Sequence, residues 1–461
     1  MQHFDFIVIG SGPGGQRAAV QAAKSGMKVC LVERNAELGG VTTHTGTIPS
    51  KTLRESILYL SGWRQRGFYG NQYRLKRNVI AKDLMHRLTL ATTQQAAVIA
   101  DQLHRNEITI LHGTASFIDS NTMLVEGPND YTLQIRANKI LLATGSSPRR
   151  PKNVPFDNER VLDSDDILKI TEIPGSIAII GAGFIGLEYA SMFMTLDIDV
   201  TLVHEKDDIL AFADREIISE FIKSQINNGM TLCTGEPVLA IEPADDKVIT
   251  RLQSGKLIAS DIVLFTSGRL GCSSSLKLEK AGLTVNNRKN LDVDEFYRTQ
   301  VPHIYAVGDL IGLPSLASTA MEQGRKAACH AFGENTRNGS QLYPLGIYTI
   351  PEISMIGKTE EQLIDERIPY EIGVSRFRET AKGQILGLQD GLLKILVSLD
   401  NKRILGVHIV GENATELIHV GQTIMLLDGT LENLLDQIFN YPSLAENYKI
   451  AALDAWNRMK L

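Results

Sequence analysis

Two glycine-rich turns carry the residues whose types and spacing best suit a chemical role. Both turns read G-x-G-x-x-G, and their glycines are Gly10, Gly12, Gly15, Gly181, Gly183 and Gly186. The first glycine of such a turn permits a tight bend, the second lets the backbone approach a pyrophosphate, and the third allows a helix to pack closely on a strand. The N-terminus of the following helix presents unpaired N–H groups to the anion. Each turn therefore predicts a dinucleotide-binding site.

The residues that end the strand after each turn bear on which dinucleotide binds. Glu33 lies 23 positions after Gly10, where a carboxylate can accept hydrogen bonds from a ribose diol. After the second turn the strand ends in His204-Glu205-Lys206, where an acid favours NAD and bases favour the 2′-phosphate of NADP. We keep Glu205 as a candidate ribose ligand, with a solvated charge run as an equal alternative. Spacing alone leaves open which turn holds FAD and which holds NAD(P).

The elements around the two turns repeat. Strand, glycine turn, helix and strand follow one another at 6–33 and again at 177–204, and the second helix is expected to run through Met194. Short apolar runs such as these are typical of parallel strands covered on both faces. The sequence therefore predicts an α/β fold with two doubly wound, Rossmann-type dinucleotide-binding domains.

The rest of the chain divides less sharply. A strand at 261–265 is expected to return the chain to the first domain, and residues 333–340 form a polar linker. The region after the linker shows strand patterns, interpreted as alternating, at 392–397 and 404–410. Helices are predicted near 414–428, 430–438 and 444–459.

Composition excludes several classes of function. The chain has 461 residues, so it should hold more than one domain. A net charge of −6 and the lack of a Lys/Arg-rich block argue against nucleic acid as a partner. No apolar run is long enough to span a membrane, and the first residues lack the pattern of a signal peptide, so a cytoplasmic location is expected. The scattered cysteines are interpreted as small buried hydrophobes, with no metal site: Cys30, Cys233, Cys272 and Cys329.

With these motifs in place, the chain resembles the pyridine nucleotide–disulfide oxidoreductase family, which includes dihydrolipoamide dehydrogenase, glutathione reductase and mercuric reductase. The resemblance covers essentially the whole chain and includes Ala143-Thr144-Gly145 and the run from Thr299 to Asp309. It implies FAD at the first turn and NAD(P) at the second. It also implies an FAD-binding domain at 1–148 and 269–342, an NAD(P)-binding domain at 149–268 and an α+β dimerisation domain at 343–461.

The resemblance assigns roles to individual residues. Asp309 would bond the ribityl chain of FAD, Glu188 would lie beside the nicotinamide, and Lys51 would pair with Glu188 and tune the flavin. The implied catalytic residues are Lys51, Glu188 and Tyr441. The implied cofactor-binding residues are Gly10, Gly12, Gly15, Glu33, Arg34, Gly40, Thr42, Lys51, Thr144, Gly145, Gly181, Gly183, Gly186, Glu188, Glu205, Gly268, Asp309 and Ala317.

Two departures from the family pattern concern its thiol chemistry. The frame from Gly39 to Lys51 is intact, but Thr42 and Thr47 stand where disulfide members carry the redox cysteines. A threonine hydroxyl forms neither a disulfide nor a thiolate. Tyr441 stands where those members have a histidine paired with the acid matching Glu446, and tyrosine titrates near ~10 rather than ~6.5. Both the thiol nucleophile and the histidine base of the disulfide members are therefore absent from this chain.

The chain resembles the soluble pyridine nucleotide transhydrogenase branch of the family on motifs such as 46–51, 305–309 and 439–442, although Thr42 stands where members of that branch keep a cysteine. This implies ping-pong hydride transfer from NADPH through FAD to NAD, in a homodimer or higher homo-oligomer. Tyr441 would cover the flavin of the partner subunit or be a buried interface aromatic. Two alternatives stay open: an NAD(P)H diaphorase or quinone reductase of the same fold, and a non-catalytic flavin-binding sensor.

Overall fold

The computed structural model describes residues 1–70, 72–335 and 342–460. The chain forms two compact units. The first consists of Met1–Leu53, Lys82–Arg150 and Gly268–Asn338, and the second of Arg54–Ala81, Pro151–Ser267 and Gly339–Leu461. Residues 336–340 of the predicted linker lie outside the described residues. The three predicted domain boundaries stay a prediction.

The strands and helices of the described residues are numbered in chain order. The strands are β1 (Gln2–Ile9), β2 (Val29–Glu33), β3 (Thr109–His112), β4 (Thr114–Phe117), β5 (Thr122–Glu126), β6 (Thr132–Leu142), β7 (Ser146–Pro148), β8 (Val161–Asp163), β9 (Ser176–Ile180), β10 (Asp199–Val203), β11 (Thr231–Cys233), β12 (Val238–Pro243), β13 (Val248–Leu252), β14 (Leu257–Ser260), β15 (Ile262–Phe265), β16 (Arg269–Gly271), β17 (Ile304–Ala306), β18 (Leu345–Ile347), β19 (Glu352–Gly357), β20 (Tyr370–Arg376), β21 (Leu392–Ser398) and β22 (Ile404–Gly411). The α-helices are α1 (Pro13–Lys24), α2 (Gly40–His44), α3 (Thr47–Leu60), α4 (Arg66–Tyr69), α5 (Ala81–Arg105), α6 (Phe184–Thr195), α7 (Arg215–Asn227), α8 (Ala317–Ala331), α9 (Glu360–Asp365), α10 (Ala381–Leu386), α11 (Ala414–Leu426), α12 (Leu431–Asp436) and α13 (Glu446–Arg458). Short 3-10 helices occur at Trp63–Gln65, Ile167–Lys169, Leu278–Ala281, Gly308–Ile311 and Phe377–Glu379.

The first unit is built on a seven-stranded sheet. Its order is β3-β2-β1-β6-β5-β4, and β17 pairs with β6. The pairs of β1 with β2 and β6 are parallel, as is that of β6 with β17, whereas β4 and β5 run antiparallel. Phe6 and Val8 pack in a core with residues of α1 and α5, while Ile7 and Ile9 pack in a second core with residues of β4 and β5. Both faces of β1 are therefore covered, as the short apolar run predicted.

The second unit contains three sheets. A five-stranded parallel sheet has the order β11-β10-β9-β15-β8 and carries the second glycine turn after β9. A three-stranded antiparallel sheet has the order β12-β13-β14. A five-stranded antiparallel sheet has the order β18-β19-β22-β21-β20. The predicted α/β class is confirmed, and so are both strand–turn–helix–strand repeats and the three C-terminal helices.

The expected alternation of buried and exposed residues is wrong both at 392–397 and at 404–410, where every residue except Leu405 is buried. Every residue of β21 is buried, because β21 is an inner strand of its sheet and α13 packs on it. The buried set includes Lys394, which is 0% exposed. Its ammonium group bonds Asp214 at 3.0 Å and also bonds Glu360. Burial of this lysine is possible because carboxylates of other elements neutralise it.

Candidate active site

The first glycine turn has the geometry that its sequence predicts. Gly10 has a φ of +101°, and a Cβ there would lie 2.4 Å from the Ala143 carbonyl oxygen. A Cβ on Gly15 would lie 1.9 Å from the carbonyl oxygen of Gly10, so only glycine lets α1 pack this closely on β1. Gly12 is the N-cap of α1, and a Cβ there would meet nothing within 4 Å. The open space faces the N-terminus of a 12-residue helix, which suits a pyrophosphate.

Glu33 is held at the end of β2 by the same turn. It is 5% exposed, and its Oε2 accepts hydrogen bonds from the Ser11 backbone amide at 2.9 Å and from the Ser11 hydroxyl at 2.6 Å. The same hydroxyl accepts a hydrogen bond from the Gly39 amide at 2.8 Å. Ser11 was missed by the sequence reasoning, although it lies inside the glycine motif. It fixes the carboxylate, whose remaining lone pairs can still accept a ribose hydroxyl.

Other predicted FAD-site residues converge on the first turn. A Cβ on Gly40 would lie 3.0 Å from the Cα of Gly12, and Thr144 Cα lies 3.4 Å from the Cβ position of Gly10. Gly145 has a φ of +68° and follows directly. The Oγ1 of Thr144 is buried without a hydrogen-bond partner within the described residues. An orphaned hydroxyl and an open glycine in one place fit a polar ligand such as the FAD pyrophosphate and ribose.

Asp309 lies in the 3-10 helix after β17 and is held by a short chain of side chains. Its Oδ2 accepts the hydroxyl of Ser146 at 2.6 Å, and that hydroxyl accepts a hydrogen bond from Arg269 Nε at 2.8 Å. Neither Ser146 nor Arg269 was foreseen, because they meet Asp309 only through the pairing of β7 with β16. The amide of the neighbouring Gly308 donates to Gln323 on α8 at 2.8 Å. These contacts place Asp309 against α8.

Ala317 is the first residue of α8, and its helix is anchored to the first turn. A Cβ on Gly324 of α8 would lie 2.0 Å from the Gly14 carbonyl oxygen, so the backbones of α1 and α8 touch. The N-cap of α8, Leu316, makes no side-chain cap. The N–H groups at Ala317 are therefore open to an anionic or carbonyl ligand.

Three further predicted residues lie on the loop and helices after β2. Arg34 is exposed, directly after the strand. Thr42 is half-buried on α2, and Thr47 opens α3. Lys51 is the fifth residue of α3 and is half-buried, with its ammonium group 3.3 Å from the Ser50 hydroxyl.

The second glycine turn repeats the geometry of the first within the other unit. Gly181 has a φ of +110°, and a Cβ on Gly186 would lie 1.8 Å from the Gly181 carbonyl oxygen. Gly183 is the N-cap of α6, and a Cβ there would meet nothing within 4 Å. The structure therefore favours glycine at each position of this turn for the same physical reason as at the matching position of the first turn. The turn presents a second open helix N-terminus for a pyrophosphate.

Glu188 projects from α6 and is fixed by a segment after β18. It is 7% exposed, and its Oε1 accepts the backbone amide of Tyr348 at 2.9 Å. The same segment is anchored by the Ile350 amide, which donates to Ser191 of α6 at 3.0 Å, and by Gln225 of α7, which donates to the Ile350 carbonyl at 2.9 Å. The Glu188 carboxylate thus has a defined orientation.

The residues after β10 separate into one ordered side chain and several exposed ones. Nδ1 of His204 accepts a hydrogen bond from the Ala182 amide at 3.4 Å, whereas Glu205 and Lys206 are exposed. His204 was not selected from the sequence. The signal was present, since His204 follows Gly181 by the same 23 positions that separate Glu33 from Gly10.

Three further residues singled out from the sequence are Gly268, Tyr441 and Glu446. Gly268 has a φ of +101°, and its carbonyl accepts the Arg149 amide at 3.1 Å. Tyr441 is 72% exposed. Glu446 opens α13, and its Oε2 is buried without a hydrogen-bond partner within the described residues.

Three features of the described residues bear on alternative chemistries. The four cysteines are free, and burial raises the pKa of the Cys30 thiol to about 12. Cys30, Cys233 and Cys329 are buried as expected, whereas Cys272 is half-buried. No group of three or more His, Cys, Asp or Glu side chains is placed to hold a metal ion there. None of the described helices is long and apolar enough to cross a bilayer.

Two doubly wound sheets, each with an open glycine turn, define an enzyme class that binds two dinucleotides. Residues 4–324 match the family model of pyridine nucleotide-disulphide oxidoreductase, and residues 343–452 match its dimerisation domain. The chain belongs to the pyridine nucleotide-disulphide oxidoreductase family, as its motifs predicted. It is an oxidoreductase, and the match to a dimerisation domain supports assembly with further copies of the chain.

Curated relatives and solved structures agree with this assignment. The soluble pyridine nucleotide transhydrogenase of Mycobacterium bovis (strain BCG / Pasteur 1173P2) is 48% identical over 462 residues, covering 100% of this chain and 98% of the relative. That of Enterobacter sp. (strain 638) is 43% identical, covering 99% and 98%. The crystal structure of LpdA from Mycobacterium tuberculosis has a TM-score of 0.90 at 26% identity, covering 97% and 99%. The Cu(II) complex of the HOCl-induced flavoprotein disulfide reductase RclA from Escherichia coli has a TM-score of 0.89 at 26% identity, covering 98% and 99%.

Proposed function

We propose that this enzyme is a transhydrogenase, which transfers hydride between NADPH and NAD through one bound FAD. The observation that carries the proposal is the pair of glycine turns with matching geometry, combined with threonines at both redox-cysteine positions. The names of the curated relatives support the same activity. When bound, FAD supplies an isoalloxazine ring that accepts hydride from a reduced nicotinamide and returns it to an oxidised one.

Residues of the first unit would hold the FAD. The N-terminus of α1 at Gly12 would bind the pyrophosphate, Glu33 would accept a ribose hydroxyl, and Asp309 would accept hydroxyls of the ribityl chain. The N-terminus of α8 at Ala317 and the ammonium group of Lys51 would favour negative charge on the ring. Arg34, Gly40, Thr42, Thr144 and Gly145 would complete the site.

Residues of the second unit would bind the nicotinamide dinucleotide. The N-terminus of α6 at Gly183 would bind its pyrophosphate. Glu188 would place a carboxylate beside the nicotinamide, where it favours the positive ring that forms as hydride leaves. Glu205 of this unit stays a candidate for a further contact, and Gly268 of the first unit stays a candidate cofactor-binding residue. Because neither threonine of the 39–51 frame can take electrons, we propose that oxidised nicotinamide at this same site is the acceptor.

We further propose that the enzyme is a homodimer in the cytoplasm. The exposed Tyr441 and the neighbouring Ile438, which is 93% exposed, lie in the region that matches a dimerisation domain, so a partner chain would cover them. Tyr441 would then lie near the flavin of the partner. Four free cysteines fit a reducing compartment.

Steady-state assays separate this activity from the alternatives. We expect turnover with NADPH plus thio-NAD, and little with NADPH plus a soluble quinone. Turnover with the quinone alone would identify a quinone reductase instead. Flavin that keeps its absorbance in anaerobic NADPH would identify a non-catalytic binding protein.

A further inference from the structure

The backbone of residues 348–350, between β18 and β19 of the second unit, holds Glu188 at two points. The Tyr348 amide donates to Glu188 Oε1 at 2.9 Å. The Ile350 amide donates to the Ser191 hydroxyl at 3.0 Å, and that hydroxyl donates to the backbone carbonyl of Glu188 at 2.9 Å. The direction of the Glu188 carboxylate therefore depends on where this short segment lies.

Arg54 of α3, in the same unit, is the side chain that fixes the segment. Its Nε donates to the Thr349 carbonyl at 3.1 Å, and its Nη2 lies 3.2 Å from Glu352 Oε1. The Arg54 side chain is 4% exposed and that of Glu352 is 8% exposed. Oε2 of Glu352 accepts the amide of Thr415 at 3.0 Å and its hydroxyl at 2.7 Å. The buried ion pair is thus anchored in turn to α11.

The bond from Arg54 acts on the peptide group that also holds Glu188. The Thr349 carbonyl and the Ile350 amide belong to one planar peptide group, so a bond at either edge fixes the whole plane. Arg54 binds one edge of that plane and Ser191 binds the other. The Tyr348 amide, which orients the Glu188 carboxylate, lies two peptide groups earlier.

The chemistry of the pair favours a role in geometry. Desolvation of two buried charges offsets most of their attraction, so an apolar pair of similar volume is often as stable. An apolar pair cannot supply the donors of a guanidinium, whose planar fork determines the positions of both its partners. Glu352 and Glu55, which accepts Nη1 at 2.7 Å, neutralise the charge of Arg54.

We propose that Arg54 is a positioning residue for the Glu188 carboxylate, which it orients through the backbone of residues 348–350. This inference rests on the proposed function, in which Glu188 lies beside the nicotinamide, and it adds the side chain that determines the direction of the carboxylate. A charge that stabilises the ring formed as hydride leaves must be oriented before the reaction. Arg54 therefore affects the rate of hydride transfer and not the affinity for the nucleotide.

Anaerobic stopped-flow reduction of the FAD-loaded enzyme by NADPH separates rate from affinity. Arg54→Lys keeps the positive charge but loses the fork that reaches both Thr349 and Glu352. We expect the limiting rate of flavin reduction to fall roughly fivefold, while the dissociation constant of NADPH changes by less than about twofold. An unchanged limiting rate, or a loss confined to affinity, would overturn the proposal.

A double-mutant cycle tests whether Arg54 acts through Glu188. In a Glu188→Gln background the charge that needs a direction is absent, so adding Arg54→Lys should slow flavin reduction by no more than about 1.5-fold. A merely structural role would give the same loss in both backgrounds, and that result would reject the positioning of Glu188.

Arg66→Lys is the matched control. Arg66 is also buried, pairs with Asp197 at 3.1 Å and donates to the carbonyl of Thr195, the last residue of α6. It holds α6 at its end and not through residues 348–350, so its variant should keep the limiting rate within about twofold of the parent. A loss equal to that of Arg54→Lys would show that any buried arginine beside α6 has this effect.

Hydrogen exchange of the FAD-loaded enzyme without nicotinamide gives a readout that does not depend on turnover. The amides of Tyr348 and Ile350 should exchange roughly tenfold faster in Arg54→Lys than in the parent, and at the parent rate in Arg66→Lys. Equal protection in the parent and in Arg54→Lys would show that Arg54 does not hold this backbone.

The two proposals fail in different ways. Flavin that NADPH reduces but NAD does not reoxidise would reject transhydrogenation, while the cycle and the exchange rates would still support the positioning of Glu188. Transhydrogenation at a rate that does not depend on Arg54 would do the reverse.

Discussion

The carboxylate of Glu188 accepts a hydrogen bond from the backbone amide of Tyr348 over 2.9 Å. The bond joins α6, which follows the second glycine turn, to the segment after β18. That segment is itself tied to Arg54, whose Nε donates to the Thr349 carbonyl at 3.1 Å and whose guanidinium pairs with Glu352 at 3.2 Å. Glu188 is therefore a residue with both a structural and a proposed chemical role, and substitution can separate the two.

Glu188→Ala and Glu188→Gln should differ in stability but should show similar rates of flavin reduction by NADPH. Alanine leaves the Tyr348 amide unpaired, which costs about 1–3 kcal/mol, whereas the glutamine carbonyl can still accept it. Both variants lose the negative charge and should slow flavin reduction by NADPH by roughly tenfold. Urea unfolding and anaerobic stopped-flow absorbance measure the two effects. An unchanged rate in the glutamine variant would remove the carboxylate from the mechanism.

Gly12→Ala and Gly183→Ala form a matched pair. Neither glycine has a positive φ, and an added Cβ meets no protein atom within 4 Å, so both variants should melt like the parent apoprotein. Gly12→Ala should purify with little FAD, and Gly183→Ala should keep FAD but bind NADPH more weakly, by roughly tenfold or more, because the methyl group fills the pyrophosphate position. Flavin content and calorimetry give the readouts. Full FAD retention by Gly12→Ala would place the pyrophosphate elsewhere.

The electron capacity of the enzyme should be two per FAD. A disulfide reductase of the same fold stores two electrons on the flavin and two on the cysteine pair, and here Thr42 and Thr47 store none. Anaerobic dithionite titration should therefore reach full bleaching at one two-electron equivalent. Lipoamide should not be reduced above a control without enzyme. A second equivalent taken up before bleaching is complete would reveal a redox pair that the threonines cannot supply.

The buried Lys394 predicts a stability effect that depends on pH. Burial lowers its pKa, but Asp214 and Glu360 outweigh burial, so its pKa lies above the ordinary value. Its stabilisation is therefore complete below roughly pH 10.4 and is lost as pH rises through the higher folded pKa. Lys394→Met leaves Asp214, which is 0% exposed, without its charge partner, and should cost about 3–5 kcal/mol at pH 7.

Urea unfolding of the parent and the Lys394→Met variant over pH 7–11 measures this effect. The difference in free energy of unfolding between the parent and the variant should stay constant up to about pH 10.4 and decrease only above it. A surface control is Lys402→Met, whose ion pair with Glu432 is 42% exposed on both sides and should contribute no more than about 1 kcal/mol. Equal losses of unfolding free energy in the two variants would show that the buried Lys394 cluster contributes no more to stability than a surface ion pair.

The local motifs were predictable because the backbone geometry of each turn favours glycine at fixed positions, and those positions can be recognised by their spacing in the sequence. The three glycines of the first motif predicted the tight bend at Gly10, the open N-cap at Gly12 and the close packing at Gly15. The same held for the second turn. The fold class followed from the repeat, since two strand–turn–helix–strand units permit few other arrangements.

Several misses depend on contacts between distant segments. Ser146 and Arg269 support Asp309 only because β7 pairs with β16, and the burial of Lys394 requires Asp214, the N-cap residue of α7. The alternating pattern predicted at 392–397 failed because the burial of β21 depends on neighbouring strands and on α13, which lie elsewhere in the sequence. His204 is different, because its spacing from Gly181 is visible in the sequence and matches the spacing of Glu33 from Gly10. The strand end His204-Glu205-Lys206 was considered as a whole, and only Glu205, its acid, was kept as a candidate ligand.

A double-mixing, anaerobic stopped-flow experiment tests the central claim most directly. The enzyme is first mixed with one equivalent of NADPH per FAD, and after the flavin absorbance has bleached it is mixed with NAD. The account predicts that the absorbance returns in full and that one equivalent of NADH appears per FAD. Flavin that bleaches with NADPH but stays bleached in the presence of NAD would contradict it.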